Sequence, residues 1–169
     1  MSRTLVAFYS RADENYFGGS YRYIEVGNTE VIAKMVAEAA DADLFKIEQK
    51  IPYSKDYESC IAEAKEDKKN SARPELVSCI DSIDDYDTIY LGYPNYWGTM
   101  PMAVFTFLEG FDFSGKTVRP FCTHEGSGLG SSVSDLRRIC PNATIGKGLD
   151  IVGSTVNSAR PKVDKWVNS

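Results

Sequence analysis

The sequence predicts an α/β domain, in which helices join parallel strands into one sheet covered on both sides. Three observations predict it. Short apolar runs alternate with amphipathic stretches along the whole chain. The run at residues 4–9 is apolar from Leu5 to Phe8 without interruption, as expected of a strand buried on both faces. A chain of 169 residues can also bury one core without disulfide or metal staples.

The elements follow in order. Residues 4–9 form the first strand, and a polar, glycine-bearing loop spans 10–27. Residues 28–40 form a helix, with Val31, Ile32, Met35, Val36 and Ala39 on one stripe. A weaker strand at 43–47 precedes a stretch, 52–69, that is helical in its second half and ends in charge. Arg73-Pro74 breaks the chain before another helical segment. The third strand is 87–91, stopped by Gly92-Tyr93-Pro94, and Pro101 suits the first turn of the helix that carries Val104, Phe105 and Leu108. The fourth strand is 116–122. Ser131 or Ser132 caps the next helix, whose apolar face is Val133, Leu136 and Ile139. The fifth strand is 144–151, and Pro161 opens a closing helix with Val163, Trp166 and Val167. No repeat or linker divides the chain, so residues 1–169 read as one domain.

Composition narrows the function classes. The hydrophobic share of 43% and charged share of 25% are those of an ordinary globular protein. A net charge of −5 argues against nucleic-acid binding, which needs a basic face, and against an anionic membrane surface. No apolar run approaches the ~20 residues of a membrane helix. The first residues have no basic leader or cleavage site, so the expectation is a cytoplasmic protein. Cys60, Cys79, Cys122 and Cys140 are scattered, and His124 is the only histidine. That pattern predicts reduced thiols and no metal site.

Ligands of open α/β sheets bind beyond the carboxyl ends of the strands, so the loops after strands one, three and four carry the chemistry. The first ends Gly27-Asn28-Thr29 and opens a helix, whose unpaired N–H groups suit a phosphate; Ser10 can add a hydroxyl. For the triplet taken alone, a plain helix cap at Asn28 or Thr29 is the commoner explanation. The second loop, Pro94-Asn95-Tyr96-Trp97-Gly98, sets two large aromatics off any amphipathic stripe, where Trp97 can face a planar ring or plug the sheet's end. The third, Thr123-His124-Glu125-Gly126-Ser127-Gly128, brings backbone N–H groups close to a ligand, or is a flexible turn. A dinucleotide fingerprint would need glycine at Ser131, and a nucleophile elbow would need glycine at Glu125, so neither motif is present. No catalytic side chain stands out.

Taken together, the three loops resemble those of the flavodoxin family, in a branch with a long first loop. The resemblance runs from Leu5 to the helix ending near Val167. It implies a flavodoxin-like three-layer sandwich, with a five-stranded parallel sheet in the order 2-1-3-4-5 and helices on both faces. It also implies FMN as cofactor. Ser10, Gly27, Asn28 and Thr29 match the phosphate loop; Val26 stands where the family has a hydroxyl, which passes that contact to the backbone at Arg11 or to the inserted segment. Trp97 and Gly98, within Pro94 to Gly98, match the ring-stacking loop. Thr123, His124, Glu125, Gly126, Ser127 and Gly128 match the loop around the pyrimidine edge. The family's outer stacking tyrosine has no counterpart in that loop, which leaves the outer face open or covered by Tyr16, Tyr21 or Tyr23.

The function so implied is low-potential electron transfer with redox partner proteins or a small-molecule acceptor. The alternatives are an FMN-dependent NAD(P)H oxidoreductase acting on a quinone or similar acceptor, and a non-redox FMN-binding module. The expected state is a monomer or weak homodimer.

Overall fold

A computed structural model describes residues 3–169. The chain runs β1 (Arg3–Phe8), β2 (Asp13–Phe17), β3 (Ser20–Ile24), α1 (Asn28–Ala40), β4 (Asp43–Lys46), α2 (Tyr57–Lys69), β5 (Tyr86–Pro94) and α3 (Met102–Glu109). It continues through β6 (Thr117–His124), α4 (Ser132–Ile139), β7 (Thr144–Ile145), β8 (Leu149–Val152), a 3-10 helix (Gly153–Ser158) and α5 (Arg160–Val167). The main sheet is parallel in the order β4-β1-β5-β6, with β7 and β8 both paired to β6. Counted as five strands, this is the order 2-1-3-4-5.

Period-two alternation divides the core between the two faces of the sheet. Leu5, Ala7 and Tyr9 join Ile89, Leu91 and Tyr93 beneath α3 and α4, where Phe107 and Leu136 are fully buried. Val6 and Phe8 point the other way, onto Ile32 and Val36 of α1 and Val163 and Trp166 of α5. Arg119 of β6 braces α5, donating to the carbonyls of Trp166 (2.6 Å) and Val167 (3.2 Å).

Four features depart from the sequence reading. The first loop contains the antiparallel hairpin β2–β3, which stands apart from the main sheet. β5 does not stop at Gly92 but runs to Pro94, because Gly92 pairs with both β1 and β6. No helix follows Pro74: Val77 N–H donates to the Glu48 carbonyl (2.8 Å) and Lys50 N–H to that of Glu75 (2.7 Å), so the segment is spent on a neighbouring strand-like stretch. The fifth strand is split at residues 146–148, where a Cβ on Gly146 or Gly148 would press on the side chains of Arg119 and Leu129. Pro101 occupies the position just before α3, and Ser131 just before α4. Ser131 turns its hydroxyl to the Gly98 carbonyl (3.0 Å) rather than to its own helix, and Ser132 turns its hydroxyl to that of Leu129 (2.6 Å).

Candidate functional site

β1, β5 and β6 end side by side, and the loops leaving them meet over α1. Gly27, not Asn28 or Thr29, is the residue before α1, and it has no side chain with which to cap. Ser10 takes over this role from across the loop, its hydroxyl accepting the N–H of Glu30 (3.0 Å). The approach is so close that a Cβ on Gly27 would lie 2.1 Å from Ser10 Oγ. The N–H groups of Asn28 and Thr29 find no protein acceptor among the described residues. They are two unspent donors at the positive end of a helix of 13 residues.

Arg11 holds the hairpin in place. Its guanidinium donates to the carbonyl of Glu14 in β2 and to those of Ser54 (2.9 Å) and Lys55 (2.7 Å), just before α2. Glu14 returns the contact, its carboxylate accepting the N–H of Tyr57 (2.9 Å). The hairpin thus sets Tyr16 6.1 Å from Tyr57, centre to centre.

The second loop closes in a two-residue turn. Tyr96 N–H donates to the Thr99 carbonyl (2.8 Å) and Thr99 N–H to that of Tyr96 (3.2 Å), with φ of 54° at Trp97 and 85° at Gly98. Positive φ at both central residues is the pattern of the mirror-image hairpin turns, which favour Asn-Gly. It costs a residue with a side chain about 1–2 kcal/mol. Contacts on both sides hold the turn. Asn95 Oδ1 accepts the Gly98 N–H (2.9 Å), and Asn95 Nδ2 donates to the Gly128 carbonyl (2.9 Å). The Trp97 indole N–H donates to the Ile61 carbonyl of α2 (2.8 Å). Burial holds the phenol of Tyr96 well above its usual pKa, and burial likewise pushes up the Cys60 thiol beside it.

The third loop is pinned at its base. Thr123 and Thr29 share a buried hydroxyl–hydroxyl hydrogen bond of 2.7 Å, which ties β6 to α1. His124 Nδ1 accepts the N–H of Gly126 (2.8 Å), so Nε2 carries the proton and donates to Asp150 (2.9 Å). Both ring nitrogens are therefore structural. Glu125 differs: its Oε1 is buried with no hydrogen-bond partner among the described residues.

These loops enclose a cavity of about 390 Å³. Of the residues singled out in the sequence, Arg11, Asn28, Thr29 and Pro94 to Gly98 line it, with Thr123, His124, Glu125 and Ser127. Ser10, Gly27, Gly126 and Gly128 do not; they shape the backbone behind the wall. The sequence did not point to Asn15 of the hairpin, nor to Tyr57, Cys60, Ile61 and Ala64 of α2, which also line the cavity. The α2 set recurs at i, i+3, i+4 and i+7, a one-sided stripe that marks a helix with something to cover. Tyr16 lines the cavity while 37% exposed; Tyr21 and Tyr23 stand outside it.

The family profile described as Flavodoxin matches residues 19–169. A candidate flavoprotein from Bacteroides uniformis is similar at 31% identity, with 99% of each chain covered and a TM-score of 0.81. A second, from Bacteroides eggerthii, is 27% identical over 96% of this chain and 98% of its own, with a TM-score of 0.70. A flavoprotein in complex with FMN from Lactobacillus acidophilus shares the fold at 18% identity, covering 94% and 98%, with a TM-score of 0.66. Among curated proteins, none matches the chain.

Proposed function

Because the chain belongs to the flavodoxin family, we propose that it binds FMN in this cavity and carries electrons at low potential between redox partners. The observation that supports this reading most strongly is the convergence of all three loops on one cavity floored by the start of α1. Its volume, about 390 Å³, lies within the range of cofactor sites.

The residues present fit the group. The free N–H groups of Asn28 and Thr29 would take the phosphate, and the Arg11 guanidinium, spent on three carbonyls, would not. Trp97 and Tyr96 would supply aromatic walls, and the backbone from Thr123 to Ser127 would supply donors to the ring's polar edge. Glu125, with its unpaired oxygen, would set a negative charge near that edge and hold the potential down. Bound FMN supplies reversible one- and two-electron chemistry. The protein's part is to bind it, orient it and expose one edge.

A second reading, an FMN-dependent NAD(P)H oxidoreductase of a small acceptor, draws on one observation. Trp97 and Tyr16 are 43% and 37% exposed at the cavity, which leaves room for a planar molecule to approach. The cytoplasm is the proposed compartment, in keeping with four unpaired thiols.

Two measurements test the proposal. The purified protein should be yellow and should release FMN on denaturation. Anaerobic dithionite titration should resolve two one-electron steps, with NADPH alone reducing the protein very slowly. Rapid bleaching by NADPH in a single step would replace the carrier reading with the reductase. A protein that neither retains FMN nor takes it up would sink both.

A further inference from the structure

We propose that one stripe of α2, Ile61, Lys65 and Lys68, clamps Trp97 in its left-handed conformation, which makes Lys65 and Lys68 positioning residues for the aromatic wall of the cavity. The three residues stand at i, i+4 and i+7 of the helix and therefore on one face. Each addresses a different part of Trp97. The Ile61 carbonyl accepts the indole N–H (2.8 Å), the Lys65 ammonium lies 5.0 Å from the centre of the indole ring, and the Lys68 ammonium donates to the Trp97 carbonyl.

The sequence of α2 gives these two lysines no other work. Their neighbours three and four positions away are Ile61, Ala62, Ala64, Ser71, Ala72, Lys69 and each other, with no carboxylate among them. Neither takes part in a salt bridge among the described residues. Two like charges three residues apart repel, and an exposed helix gains nothing from them as a pair. What the arrangement does provide is a cation on the π-face of Trp97 and a charged donor on its carbonyl.

The turn needs such support. Trp97 occupies φ 54°, where an L side chain is disfavoured, and Gly98 is held separately by Asn95 and Ser131. Asn95, itself tied to the third loop at Gly128, and Ser131 thus hold the glycine half of the turn, and α2 holds the tryptophan half. Without the α2 contacts the indole would be free to leave the cavity wall, and the wall would form only when a ligand orders it.

The link to FMN rests on the function proposed above; the clamp itself can be read without cofactor. Lys65→Gln, Lys68→Gln, the double variant and the double Lys→Arg variant would be compared with the parent in three measurements: acrylamide quenching of tryptophan emission in the apoprotein, the FMN dissociation constant, and the urea midpoint. Trp166, 5% exposed against 43% for Trp97, contributes a shielded background. The double Gln variant should make Trp97 at least about twofold more quenchable and weaken FMN about five- to tenfold, a loss of about 1–1.4 kcal/mol. The urea midpoint should stay near the parent's, and the Arg pair should restore both signals. Quenching within error of the parent in the double Gln variant would overturn the clamp. So would a loss that arginine does not restore. If the parent takes up no FMN, the function reading fails, and apoprotein quenching alone decides the clamp.

Discussion

Gly27→Ala tests the most crowded point of the site. Gly27 sits at φ −64° and ψ 152°, a conformation open to any residue, so its need for glycine is contact and not backbone freedom. An added Cβ would lie 2.1 Å from Ser10 Oγ, 2.7 Å from the Arg11 carbonyl oxygen and 2.8 Å from its carbon. Two of those atoms are backbone and cannot rotate away, so the first loop has to move. Overpacking of this kind costs about 1–3 kcal/mol. Moving Ser10 also breaks its hydrogen bond to the Glu30 N–H, a further ~0.5–1.5 kcal/mol. The reduced freedom of the unfolded chain returns ~0.4–1 kcal/mol. The net expectation is a loss of about 2 kcal/mol. The assay is urea unfolding of the apoprotein by far-UV circular dichroism, with Gly110→Ala as control, because a Cβ there meets nothing nearer than 3.4 Å. FMN affinity should also fall by at least about tenfold, because the shifted loop frames the N–H groups of Asn28 and Thr29. A Gly27→Ala protein as stable as the control, with FMN affinity intact, would show that the first loop does not depend on this approach.

Three further predictions concern neighbouring parts of the site. Thr29→Val leaves the Thr123 hydroxyl buried without its partner and should cost about 1–3 kcal/mol. Adding Thr123→Val should cost little more, and strict additivity in a double-mutant cycle would mean that the hydroxyls are not coupled. In thiol labelling, exposed Cys79 should react first, with Cys60, Cys122 and Cys140 slow; burial pushes the Cys140 thiol up to about 11. Because Cys60 lines the cavity, saturating FMN should slow it further, and equal rates with and without FMN would place the cofactor elsewhere. For Glu30, burial opposes ionisation, but the ammoniums of Lys46 (2.9 Å) and Lys34 (3.2 Å) outweigh it and hold the carboxyl below its usual range. Its contribution, under about 1 kcal/mol, is present above the unfolded pKa and is lost as pH falls through the lower folded value. Glu30→Gln should therefore flatten the stability profile between about pH 5 and 3, and an unchanged slope would dismiss the ion pairs as a source of stability.

Where local pattern and tertiary use agree, the sequence was legible. Residues 28–40 carry both an apolar stripe and a glycine before them, and α1 has those bounds. Leu76, Ile80 and Ile83 also recur at helical spacing, yet no helix forms, because the backbone there bonds to Glu48 and Lys50. The hairpin was hidden for a related reason. Its polar and aromatic residues alternate weakly, and what fixes it is Arg11 reaching carbonyls at positions 54 and 55, more than forty residues away. The three loops were legible because fold geometry assigns them to one end of the sheet. The α2 wall was not, since its charged end reads as an ordinary solvated helix until Trp97 is set against it.

The broken fifth strand also bears on how the molecule meets copies of itself. A sheet that ends in a long, straight strand offers a row of unpaired amides to any passing chain. Here that border is β7, two residues long, then a break, then β8. The break is not empty: the Trp166 indole donates to the Lys147 carbonyl (2.9 Å), so α5 plugs the gap. The opposite border, β4, is four residues carrying Asp43 and Lys46. Neither border gives a second sheet a long, continuous register to zip against.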